Sequence, residues 1–456
     1  MKPLIQLFFL LSLVTSLIGC GSDGASNGNG PWTWLSGSNS TNQTGNYGTI
    51  GTSSVSNVPG ARKDAVSWSD SNGNLWLFGG HFFDSTRGNI FFNDLWKFDG
   101  NKWTWMKGSS SGNQIGNYGT KGIPATSNDP GSRYGAISWI DKTDQMWLFG
   151  GVDSSGLHLL NDLWKFDGSN WVWVSGTNVV DQSGTYGAKG TPAVSNMPGG
   201  RAPGASWIDA DGHLWLWGGF GKDSIGQQGI LNDLWKFDGS DWTWVSGSSS
   251  INQAGSYGVM NTPAASNVPG ARTGASSWID QNGNLWLFGG RGLSSNGSDG
   301  FFNDLWKFDG NDWIWVNGSN SVNQSAIYGT KGNSAVTNTP GARAGAHAWV
   351  DKSDNFWRYG GLLGRTYPDL GGLATDNLSD LWKFDGSNWT WVSGPSTAND
   401  TGNFGTKGTP TASNIPRARA GAVSWTDRSD RFWLMGGSYY QSSGFVYLND
   451  LWYYQP

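Results

Sequence analysis

The chain has 456 residues, a charged fraction of only 14% and a formal net charge of −5, so neither a disordered polyelectrolyte nor a nucleic-acid-binding surface is indicated. Gly supplies 71 residues and aromatics 14%, and all 34 acidic residues are Asp, which removes a strong helix former and predicts a packed, turn-rich chain with little helix. The single cysteine, Cys20, excludes an internal disulfide framework and a cysteine-rich metal site.

At the N-terminus, Lys2 precedes an apolar run from Leu4 to Ile18, which suits a signal-peptide core and is too short to span a membrane as a helix. The run ends in Leu17-Ile18-Gly19-Cys20, which resembles the bacterial lipobox. That resemblance implies cleavage after residue 19 and a lipid anchor on Cys20 that would hold the chain on a membrane. Residues 20–31 form a linker rich in Gly, Ser and Asn, within which Ser22 to Gly30 reads as a flexible leash of about 15 Å. Gly21, rather than Asp, follows the cysteine, so the expected location is the cell envelope of a Gram-negative bacterium, at the outer membrane.

From residue 32 onward one pattern recurs six times: W-x-W, a Gly/Asn/Ser-rich connector, an Arg at the end of a P-G-x-R-like turn, W-x-D, an apolar run closed by Gly-Gly, and a variable segment leading to Asp-Leu-Trp. The W-x-W pairs start at Trp32, Trp103, Trp171, Trp242, Trp313 and Trp389, with spacings of 71, 68, 71, 71 and 76 residues, the signature of an array. Within one unit, Ala65 to Trp68, Leu75 to Phe78, Asp94 to Phe98 and Trp103 to Trp105 are short, aromatic-rich and bounded by turn residues, which predicts four antiparallel strands. The first unit begins with a fourth strand, Trp32-Thr33-Trp34, and the last ends on a third, Asp450-Leu451-Trp452, so the two ends are expected to complete one sheet together.

The double Gly followed by N-D-L-W-K-F-D resembles the kelch repeat, a family of four-stranded blades arranged radially. The resemblance implies an all-β, six-bladed kelch-type β-propeller over residues 32–456. Its blade cores fall at about 62–105, 133–173, 201–244, 272–315, 343–391 and 419–452 plus 32–34. The connectors of about twenty-five residues between W-x-W and the Arg are longer than the family's usual ones, and they repeat a Tyr-Gly or Phe-Gly of their own.

Three sets of candidate binding residues follow. Arg62, Arg133, Arg201, Arg272, Arg343 and Arg419 stand at the start of the innermost strands, where six guanidinium groups would ring the axis as an anion trap unless each bonds to carbonyls or to the Asp of N-D-L-W. Tyr47, Tyr118, Tyr186, Tyr257, Tyr328 and Phe404 either pin the long connectors to the body or present aromatics to a partner. The fifth unit is the most individual, with Arg365, Tyr367 and Asp369 in a lengthened hairpin and Arg358-Tyr359 in place of the usual apolar pair.

Of the 31 tryptophans, thirty occupy five repeated positions in six units and only Trp217 falls outside them, so they are expected to be architectural. The four histidines, His81, His158, His213 and His347, sit at different motif positions and none is expected to bind metal. The copper oxidases that resemble galactose oxidase need a Tyr cross-linked to a Cys, which this part of the chain lacks. Among enzymes, the sialic-acid mutarotases, also six-bladed kelch proteins, remain as an alternative. No Glu is available for proton transfer, and no Asp stands out among near-identical units. The expectation is therefore a monomeric, membrane-anchored binding or scaffolding protein without cofactor. Its partner would be a protein or polysaccharide of the envelope, with a purely structural lipoprotein as a further alternative.

Overall fold

Alternation of large apolar and small polar residues makes each repeat a sheet. In the first unit, Val66–Ser69, Leu75–Phe78, Leu95–Phe98 and Trp103–Lys107 pair antiparallel in that order. The computed structural model describes residues 30–367, 372–441 and 444–456. Among them there is no α-helix, and there are six sheets built on this four-stranded plan.

The innermost strands touch in a closed cycle: Val66–Ser69 lies against both Ile137–Ile140 and Val423–Thr426, and the series continues through Ala205–Ile208, Ser276–Ile279 and His347–Val350. Serines on these strands stitch the cycle. Ser67 Oγ donates to Ser424 O at 3.2 Å, Ser206 Oγ to Ser138 O at 3.2 Å and Ser277 Oγ to Ser206 O at 3.3 Å. The result is a β-propeller.

The last sheet is shared between the chain ends. Trp32–Ser36 pairs with Leu451–Tyr454, Trp32 opposite Tyr454 and Trp34 opposite Trp452, so ring closure is made by main-chain hydrogen bonds.

Tryptophan fills the wedges between neighbouring sheets. Trp96, Trp164, Trp235, Trp306, Trp382 and Trp452 are all 0% exposed. The Trp of W-x-D also reaches across a junction: Trp139 Nε1 donates to Trp215 O at 3.0 Å and Trp425 Nε1 to Trp76 O at 3.0 Å. The Asp of W-x-D organises the turn that follows it. Asp70 accepts from the backbone N–H of Asn72 and Asn74 and from Trp76 Nε1. The double glycine is a steric requirement: Gly79 has φ +69°, and a Cβ there would lie 2.7 Å from Arg133 O of the next unit.

The architecture defines two faces. One carries the W-x-D turns. The other carries the long connectors and the hairpins between second and third strands, such as His81–Asp84 with Gly88–Phe91 and Ser438–Gln441 with Gly444–Tyr447.

Candidate functional site

The repeated arginines do not ring the axis. Each turns into its own sheet and grips the Asp of the Asp-Leu-Trp motif. Arg62 binds Asp94 at 2.6 and 2.8 Å, and the same fork joins Arg133 to Asp162, Arg201 to Asp233, Arg272 to Asp304, Arg343 to Asp380 and Arg419 to Asp450. All six arginines are at most 2% exposed, which corrects the expectation of an anion trap. A guanidinium placed there is neutralised by its partner and by glycine carbonyls, as Arg62 is by Gly60 O and Gly79 O.

The connector aromatics complete the same clusters rather than facing a partner. Tyr47 donates to Asp94 Oδ2 at 2.6 Å, and Tyr118, Tyr186, Tyr257 and Tyr328 do the same to Asp162, Asp233, Asp304 and Asp380. Burial, and then the neighbouring carboxylate, push these phenols upward. Phe404 takes the sixth place, packed on Trp34 and Trp452 without a hydroxyl. The lysine that follows clamps the connector further: Lys121, Lys189, Lys331 and Lys407 lie 4.3 to 4.5 Å over the second Trp of a W-x-W pair.

With the repeated residues accounted for by the fold, departures from the repeat become informative. Two positions after each Arg the units carry Gly135, Pro203, Gly274, Gly345 and Gly421, but in the first unit Asp64. This turn lines the mouth of the axis on the connector face, where backbone N–H groups bond from unit to unit. Gly135 N donates to Asp64 O, Asp64 N to Gly421 O, Gly421 N to Gly345 O and Gly345 N to Gly274 O. The four glycines have φ between +62° and +67°, and Asp64 adopts φ +54°. Asp tolerates this conformation, as ten other Asn and Asp residues do among the described residues, so what sets this position apart is the carboxylate it places at the mouth.

Around Asp64 the ring closure gathers residues that are far apart in the chain. Lys63 Nζ is 3.7 Å and His81 Nδ1 3.9 Å from Asp64 Oδ2. The His81 ring lies 4.6 Å from Tyr134 and 5.7 Å from Tyr447, Phe91 stacks on Tyr134 at 5.5 Å, and Lys63 lies 4.8 Å over Phe445. Asp64 keeps 30% of its side chain exposed and Lys63 22%, so the charged pair is open to solvent while His81 is covered. Burial drives His81 down to about 4, Asp64 opposing and Lys63 adding to the fall, so its imidazole is neutral near pH 7. Burial and Asp64 push Tyr134 upward, and Tyr447 up to about 12, so both phenols keep their protons. The arrangement offers a carboxylate base, a cationic acid and a neutral imidazole beside aromatic walls.

The signal for this site in the sequence was the single carboxylate in a column otherwise filled by Gly and Pro. The expectation that no Asp stands out is corrected by Asp64.

In the fifth unit, Arg365 and Tyr367 lie on the strand Phe356–Tyr367, in register with Ala374 and Gly372. Asp369, like Cys20 and residues 1–29, lies outside the described residues. One group of possible metal ligands occurs among the described residues, Asp209, Asp211 and His213, whose ligand atoms lie within 4.8 Å of one another. Asp209 is the repeated turn Asp, and its oxygens already accept from Asp211 N, His213 N and Trp215 Nε1.

No protein-family model matches the chain. The sequence is similar to N-acetylneuraminate epimerase 2 of Escherichia coli O6:H1, with 26% identity over 252 residues. That match spans 48% of this chain and 60% of the relative's length. The fold is similar to the solved structure of YjhT, with a TM-score of 0.50 and 15% identity over 86% of this chain and 95% of that one. With its repeated antiparallel sheets and these similarities, the chain has the kelch-type β-propeller fold.

Proposed function

We propose that the chain acts on a carbohydrate at the axial mouth of its connector face and interconverts anomers of a sugar acid of the N-acetylneuraminate class. The observation that carries this reading is Asp64, a carboxylate held in a left-handed conformation where four other units have glycine and the remaining one proline. The similarity to an N-acetylneuraminate epimerase supports the choice of substrate.

In the proposed reaction, Asp64 takes the proton of the anomeric hydroxyl as the bond between anomeric carbon and ring oxygen breaks, and the Lys63 ammonium protonates that oxygen. Rotation about the freed carbon and re-closure reverse both transfers, so each group regains its starting state. Tyr134, Phe91 and Tyr447 supply apolar walls for the sugar face, and His81 donates or accepts a hydrogen bond without carrying charge.

The test is anomer exchange of N-acetylneuraminate followed by NMR, with wild type beside Asp64→Asn. Acceleration by wild type that disappears in the variant supports the reading. No acceleration by wild type defeats it.

A second reading, recognition of a saccharide without turnover, is favoured by Tyr440 and Phe445, 48% and 43% exposed on the hairpin that leans toward Lys63. Saturable glycan binding without anomer exchange would select it.

Under either reading we place the lipid anchor on Cys20 in the cell envelope, as the motif Leu17-Ile18-Gly19-Cys20 implies. Trp32 pairs with Tyr454 beside Phe432, which follows the W-x-D turn of the last unit.

A further inference from the structure

The sixth unit breaks the repeat at two positions that lie outside the axial site. Two residues before the buried Arg, the other five units have Gly60, Gly131, Gly199, Gly270 and Gly341, and the sixth has Arg417. The connector carbonyl that receives the backbone N–H just before that Arg belongs to Gln43, Gln114, Gln182, Gln253 or Gln324 in those units, and to Asp400 here. The cluster beneath has no need of either change, since Arg419 grips Asp450 as its equivalents grip theirs.

Both residues line one cleft of about 250 Å³, whose other wall is the hairpin residues Tyr439, Tyr440 and Gln441. The Arg417 guanidinium lies 4.7 Å over the Tyr439 ring, donates from Nε to Thr401 O at 3.0 Å and from one terminal nitrogen to Tyr439 Oη. Its other terminal nitrogen has no partner among the described residues. Asp400 Oδ1 accepts from Gly402 N at 2.8 Å, which leaves Oδ2 open, and Gln441 Nε2 donates to Tyr439 Oη at 2.9 Å, which leaves its carbonyl open. Unused donors and acceptors of both signs beside aromatic rings complement a neutral polyol, whose hydroxyls both donate and accept.

A continuous ridge joins this cleft to the axial mouth. Lys63 Nζ is 3.7 Å from Asp64 and 4.8 Å over the Phe445 ring, Phe445 meets Tyr440 edge to face at 5.3 Å, and Tyr440 lines the cleft. Both rings are exposed. Aromatic faces followed by a polar cleft match linked sugar rings, which present flat C–H faces and hydroxyl edges.

We infer that the sugar acid taken at the axial mouth is the reducing end of an oligosaccharide, and that the neutral pyranose next to it stacks on Phe445 and Tyr440 and bonds to Arg417 and Asp400. This rests on the reading of Asp64 as the base at the anomeric carbon. That reaction needs a free anomeric hydroxyl, so the pyranose is joined through another oxygen of the acid. Asp400 offsets the attraction that Arg417 would exert on a second carboxylate, so the neighbouring ring is an uncharged one.

The test uses the full chain and two ligands, N-acetylneuraminate and N-acetylneuraminate carrying a galactosyl residue on its glycerol side chain, each titrated by calorimetry. Arg417→Gly and Asp400→Gln each restore the residue of the other five units and should fold. Wild type should bind the galactosylated ligand about tenfold tighter, and each variant should reduce that preference to about twofold or less while binding the free acid as wild type does. The same preference in a wild type that shows no anomer exchange supports the second subsite although the turnover reading fails. Equal affinity of wild type for the two ligands overturns the inference and leaves the axial reading standing if anomer exchange persists. A preference that survives both variants, or no binding of either ligand, also overturns it.

Discussion

The backbone N–H of Asp64, in the first unit, donates to the carbonyl of Gly421, in the last, at 2.8 Å, and the Asp64 side chain leans over that same glycine. A Cβ added at Gly421, where φ is +65°, would meet Asp64 Oδ1 at 2.6 Å. The proposed base is therefore positioned by the seam of the ring. Gly421→Ala should displace the carboxylate, cost about 1–2 kcal/mol from the left-handed backbone and abolish anomer exchange. Urea unfolding and the NMR assay would read the two effects separately.

Asp64→Gly makes the opposite case. It installs the residue that four other units use at the same φ, so it removes backbone strain while deleting the carboxylate. The expected outcome is a chain as stable as wild type or more stable by up to about 1 kcal/mol, yet inactive. A large loss of stability would show that Asp64 holds the mouth together instead of working in it.

The Arg–Asp–Tyr clusters predict a small, graded series. Tyr257→Phe removes one of the donors to Asp304 Oδ2 and leaves Arg272 and Trp306 in place, so it should cost about 1 kcal/mol. The sixth unit already carries that state, since Phe404 leaves Asp450 to Arg419 and Trp452. Phe404→Tyr should gain about as much, because its ring packs on Trp452 and Trp34 as Tyr257 packs on Trp306 and Trp315. Both shifts are measurable as changes in denaturant midpoint at constant slope.

The propeller was legible because its signal is redundant: Trp, Gly-Gly and Asp-Leu-Trp recur together, and each copy must bury the same wedge. The partners of the arginines were less legible, because Arg62 lies 32 residues from Asp94 in sequence and its position before the inner strand suggests the axis as readily as the sheet. Asp64 is not legible as a site in the sequence because its chemistry depends on residues that only ring closure assembles. His81 follows the double glycine of its own unit, Tyr134 opens the second and Tyr447 belongs to the last. A repeat hides such a site, since the eye reads agreement among units while the site resides in their disagreement.

Acid should weaken the fold through its buried histidines. Burial, with Arg419 adding to it, lowers His347 to about 3, while the unfolded chain accepts a proton near 6.5. The unfolded state therefore binds the extra proton between those values, and stability falls as pH drops below about 6.5. His347 and His81 should each remove about 2 kcal/mol between about pH 7 and pH 5. His347→Val, which installs the residue found as Val66 and Val423, should flatten part of this slope in urea unfolding, and an unchanged slope would refute the assignment.

Ring closure gives the largest expected effect. Trp32 is 1% exposed, lies 5.1 Å from Tyr359 and 5.2 Å from Tyr454, and so fills the wedge between the fifth and sixth units from the first described strand. The connector of the sixth unit also docks on this strand, with Asn414 Nδ2 donating to Trp32 O and Gly408 N to Trp34 O. Trp32→Ala should cost about 3–5 kcal/mol through the cavity it leaves. Deleting residues 30–36 removes both tryptophans, exposes Leu451–Tyr454 as an open edge and frees the connector, so it should cost more and open that segment to protease first. Limited proteolysis with mass spectrometry of the first cut distinguishes the two possibilities. A first cut within residues 400–418 supports closure by this strand, and a first cut elsewhere with an unchanged unfolding midpoint shows that the ring is held by its inner strands alone.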